Sequence, residues 1–88
     1  MLVIVGLGKT STGGIRISIA RPQHDASSVQ TYPGEQDATD VLLDFGISQE
    51  DIEDYSKLLA EVTSDAQIKF PPLDIPQHTL LAKGFRLM

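Results

Sequence analysis

Between positions 15 and 20 the chain alternates Ile, Arg, Ile, Ser, Ile and Ala. This period of two sets three isoleucines on one side of an extended strand and Arg16, Ser18 and Ala20 on the other. Directly before it, Thr10-Ser11-Thr12-Gly13-Gly14 is turn chemistry, because paired glycines reach positive φ without steric cost. Residues 2–9 supply the partner strand. Val3, Ile4, Val5 and Leu7 alternate less cleanly there, so coverage on both sides is expected. The chain therefore starts with a β-hairpin.

Residues 22–28 read as loop, and Val29 to Tyr32 as a third short strand stopped by Pro33-Gly34. The period then changes. Ala38, Val41, Leu42 and Phe45 recur at helical spacing, predicting a first helix over 35–45 with Gly46 as its stop. A second helix follows Ser48. Asp51 three residues on makes an approximate capping box, and Ile52, Tyr55, Leu58, Leu59 and Val62 form the expected buried side. Beyond Thr63-Ser64-Asp65, Gln67 to Phe70 reads as a strand ended by Pro71-Pro72. Pro76 opens a short third helix that stops at Gly84, with Phe85 folding back and Phe85-Arg86-Leu87 as a last short strand. The fold class is α+β: a small antiparallel sheet starting with the N-terminal hairpin, with two to three helices on one face.

The 88 residues allow one domain, over 1–88. A chain this short hides only about 60–65% of its unfolded surface, so self-association would help its thin core. Without cysteine there is neither a disulfide framework nor a thiolate metal site. The apolar start carries no basic residues ahead of it, and Lys9 interrupts it early, so it is not a signal peptide. No apolar run approaches the roughly 20 residues of a membrane span. The location expected is the cytoplasm.

Charge separates along the chain. Residues 1–34 and 66–88 each carry +2. Residues 35–65 carry ten acids against Lys57 alone, which is −9. So acidic a segment repels phosphate backbones, and direct nucleic-acid binding is not expected.

Three motif readings fail on physical grounds. Gly6-Leu7-Gly8-Lys9-Thr10 has the look of a phosphate loop. Its first glycine position holds Val3, however, and a strand follows where the motif needs a helix. A dinucleotide fingerprint fails likewise, for want of Gly-x-Gly-x-x-Gly. The stretch Leu42 to Ser48 before a helix has the outline of a DNA-binding helix-turn-helix. Its would-be reading helix opens with Glu50, Asp51, Glu53 and Asp54, which would meet phosphate oxygens. His24, His78 and Asp25 are too few for a metal site, and no serine sits in a nucleophile elbow. Neither cofactor nor metal is expected.

What remains is the acidic helical stripe. Glu50, Glu53, Lys57 and Glu61 follow one helical line with Asp54 beside it, and Asp40 and Asp44 lie on the polar side of the first helix. Asp40 and Asp44 repel at i, i+4, and Asp44 sits at the negative end of the helix dipole, with no local compensation. The ordinary explanation is a solvated face. The sharper expectation is a non-catalytic interaction domain that shows Asp40, Asp44, Glu50, Glu53, Asp54 and Glu61 to a basic partner protein. One alternative is a small-molecule binder or enzyme using Arg21, His24 and Asp25. Another is a structural homo-oligomer subunit with no activity of its own. A homodimer through the N-terminal strand is expected if that strand lies at a sheet edge.

Overall fold

In a computed structural model, residues 1–23, 27–61 and 67–86 of the chain are described. The elements run β1 (Leu2–Lys9), β2 (Ile15–Ala20), β3 (Ser27–Tyr32), α1 (Glu35–Asp44), α2 (Gln49–Glu61), β4 (Gln67–Lys69), β5 (Leu73–Asp74) and α3 (Gln77–Ala82). The antiparallel sheet has the order β3-β2-β1-β4, and β5 also pairs with β1. This is the α+β architecture the periodicities predict. The helix and strand expected to end at Phe45 and Phe70 each stop one residue earlier, β3 begins at Ser27, inside the expected loop, and β5 had no sequence signal.

Register explains which side is covered. Leu7 pairs with Ile17 and Val5 with Ile19, so the odd residues of both strands share a face. Val3, Val5, Leu7, Ile15, Ile17 and Ile19 are all buried there. Ala38, Val41 and Leu42 of α1, Ile52 and Leu59 of α2, and Leu80 of α3 complete the same core, with Phe45, Ile47, Phe70, Ile75 and Phe85 from the connections. The described helices all pack on the odd side, leaving the even side without one among the described residues. On that side of β1 Ile4 is partly buried, while Gly6 and Gly8 are buried, Gly6 beneath the Gln67 and Ser18 side chains, so the middle of the strand is covered on both sides.

The helices end as Gly46 and Gly84 predict. Gly46 has φ +92° and Gly84 φ +87°. The amide of Ile47 donates to the Leu42 carbonyl at 3.2 Å and that of Gly46 to Leu43 at 3.0 Å. Phe85 repeats the pattern onto Leu80 at 2.9 Å, and Gly84 onto Leu81 at 3.0 Å. Both are Schellman terminations, each driving an apolar residue, Ile47 or Phe85, into the core. The Phe45 and Phe85 rings meet edge to face with centroids 5.7 Å apart.

Three expectations are corrected. Strand pairing through β1 is closed off, because β2 takes one edge while β4 and β5 share the other. Among the described residues β1 is thus an inner strand, and the condition for a homodimer through it, a place at the sheet edge, is not met. Leu58 is half-exposed rather than buried. The α2 core stripe runs through Ile52, Tyr55 and Leu59, and Leu58 lies about 100° round the helix from Leu59. Phe85 and Arg86 belong to no strand. Val62, Thr63, Ser64, Asp65 and Leu87 lie outside the described residues.

Candidate functional site

The helical layer is where the acids gather. Ser48 starts α2 as its cap, its Oγ accepting the Asp51 amide at 3.2 Å. Glu50 and Asp51 then occupy the first turn, where the dipole favours them. Because Ile52, Tyr55 and Leu59 turn inward, Glu50, Glu53, Asp54 and Glu61 turn outward, and all four are exposed. On α1 the inward Ala38, Val41 and Leu42 leave Asp37, Asp40 and Asp44 exposed in the same way. Nine acids lie between Glu35 and Glu61, every one exposed. A groove of about 540 Å³ runs between the two helices over Ile52, with Glu35, Glu53 and Lys57 at its walls.

One of these acids has a partner that sequence reasoning missed. Asp44 is not left uncompensated at its helix end. The Lys83 ammonium, from the turn that closes α3, donates to Asp44 Oδ2 at 2.5 Å. This bond holds the Lys83 pKa above its ordinary value. Burial raises the Tyr32 phenol, and the nearby Lys83 charge works against that rise. Asp40 accepts from Gln36 Nε2 at 3.0 Å. Among the described residues, Lys83–Asp44 is the one ion pair made by these nine acids.

Three cations lie together elsewhere. Arg16, Arg21 and Lys69 line a shallow depression of about 670 Å³ on the helix-free side of the sheet, and every described charged residue lining it is a cation. Its floor crosses three strands: Gln67 of β4 donates to Ser18 Oγ of β2 directly over Gly6 of β1. Gln23 also lines it, with φ +66°, a left-handed conformation uncommon for a residue with a side chain. The alternation in β2 already placed Arg16 and Ser18 together. Bringing Lys69 and Gln67 beside them depended on β4 adding to β1, which no local pattern announces.

Of the alternative ligand set, Arg21 lies in this depression, while His24 and Asp25 fall outside the described residues. His78 is exposed on α3. Among the described residues no group of three or more His, Asp or Glu side chains is placed to hold a metal ion. Nor is any of their helices long and apolar enough to cross a membrane. Lys9 and Thr10 run from β1 into a tight turn, Thr10 N–H donating to Gly14 O at 3.0 Å, and β2 follows, so no helix N-terminus meets that glycine-rich stretch. Compared with known proteins, the chain matches no family model, no curated protein and no solved structure.

Proposed function

We propose that this chain is a non-catalytic interaction domain whose acidic α1–α2 surface receives a basic partner protein. The observation that carries the reading is the exposure of nine carboxylates on two adjacent helices, with a single ion pair among them within the described residues. Packing does not require those side chains, since the core closes on the opposite side of each helix. Their mutual repulsion costs the free domain stability, by a few tenths of a kcal/mol for each close like-charge pair. A bound basic surface removes that cost and gains Coulomb energy in a partly desolvated contact. The groove between the helices offers a Lys or Arg side chain an apolar floor at Ile52 and the carboxylates of Glu35 and Glu53. The cysteine-free composition agrees with a reducing compartment such as the cytoplasm.

The test is affinity capture from an extract of the source cells, at low and at high salt. The wild-type chain is compared with a variant in which Glu50, Glu53, Asp54 and Glu61 are replaced by Ser. The reading expects one dominant protein with a basic surface, held at low salt, released at high salt and lost by the folded variant. Capture that survives the four substitutions refutes it.

A further inference from the structure

We infer that the basic partner of the acidic helices is the cationic sheet face of a second copy, so that molecules associate head to tail. The inference rests on the reading of the acidic face given above and adds the identity of what binds it. Arg16, Arg21 and Lys69 share one depression, and none of them makes an ion pair among the described residues. The exposed acids of α1 and α2 lie in the helical layer, on the other side of the same sheet. A sheet and its helical layer are about 10 Å apart, so the two charge sets cannot neutralise each other within one molecule. Between molecules they can. The arginine forks of the depression suit carboxylates in particular.

A nucleic-acid strand is the poorer occupant, since among the described residues no aromatic side chain lines the depression for bases to stack on. Two different faces meet in this contact, so it is heterologous. Each added copy leaves one acidic and one cationic face free, and growth continues from both ends. The net charge of −5 opposes the approach of copies at long range. Salt at about 0.15 M screens that repulsion beyond roughly 8 Å, whereas the facing charges act inside that distance.

Sedimentation velocity on the wild-type protein tests this, over about 10 to 1000 μM in about 50 mM salt. The sedimentation coefficient is expected to rise with concentration and to fall back when salt is raised about tenfold. Two variants complete the test: R16E/K69E, which spoils the sheet face, and E50K/E53K/E61K, which spoils the helical face. Each alone is expected to remain monomeric. Mixed in equal amounts, they associate again, because each supplies one working face and the two charge-reversed faces also complement each other. The milder R16Q/K69Q, checked for an unchanged melting temperature, is expected to weaken wild-type association at least about tenfold.

Wild-type protein that stays monomeric throughout, association that strengthens with salt, or a mixture that stays monomeric overturns the inference. If wild type stays monomeric yet still captures another basic protein through Glu50, Glu53 and Glu61, only the partner's identity is refuted. If copies associate but E50K/E53K/E61K associates equally well, the acidic-face reading itself is refuted.

Discussion

Replacing Gly46 or Gly84 by alanine measures two chain reversals that differ in one respect. At Gly46 the backbone has φ +92°, and an added Cβ would meet nothing within 4 Å. Only the conformational term remains. An L-residue in the left-handed region costs about 1–2 kcal/mol, and the stiffer unfolded chain returns roughly 0.4–1. The Gly46→Ala loss should therefore be about 1 kcal/mol. Gly84 has nearly the same φ, +87°, but a Cβ there would lie 3.0 Å from Gln30 Nε2. That amide donates to the Gly84 carbonyl at 2.8 Å. Moving it aside adds the worth of one hydrogen bond, about 1 kcal/mol, so Gly84→Ala should cost about 2. Urea unfolding followed by circular dichroism gives both values, provided the m-value is unchanged. For a domain this size the melting temperature should fall about 4–8 °C per kcal/mol. Gly46→Asn should recover part of the loss, because Asn tolerates this conformation. Equal losses at the two glycines, or a neutral Gly46→Ala, would refute the reasoning.

Other consequences follow from the core and from the Lys83 pair. Phe85 is fully buried against Phe45, so Phe85→Ala should cost about 3–5 kcal/mol. A double-mutant cycle with Phe45→Leu and Phe85→Leu, read by urea unfolding, should return a coupling of about 0.5–1.5 kcal/mol. Lys83 and Tyr32 both have folded pKa values above their ordinary ones. Their contributions are complete below about pH 10, where the unfolded groups titrate, and are lost as pH rises through the folded values. Stability should thus decline on the alkaline side, with Asp44→Asn lowering the Lys83 pKa in an NMR titration; a Lys83 pKa indifferent to that change would contradict the geometry.

Elements whose signals are local were legible from sequence. Ile15, Ile17 and Ile19 fixed the buried face of β2, and Gly46 and Gly84 marked the helix ends, because strand period and left-handed termination act within a few residues. Features built by distant residues were not. The second edge of β1 is filled by β4 and β5, and neither Gln67–Lys69 nor Leu73–Asp74 carries enough length or alternation to reveal its partner. Asp44 looked uncompensated because Lys83 reaches it from another helix. The acidic stripe was readable, since helical spacing alone puts Glu50, Glu53 and Glu61 on one line. The cationic depression was only half readable. Arg16 and Ser18 follow from the β2 alternation, but Lys69 and Gln67 join them only once the sheet order is known.

In the proposed function, α1 and α2 recognise a partner with the charges that their packing leaves outside. In Glu53→Lys/Glu61→Lys the changes at the helix dipole and at the Glu53–Lys57 spacing offset each other to within about 1 kcal/mol, so the domain stays folded. The deciding measurement is the dissociation constant of this variant for whichever basic surface the wild-type chain captures, at about 50 mM salt. A loss of about tenfold or more is predicted. An unchanged dissociation constant would contradict the claim.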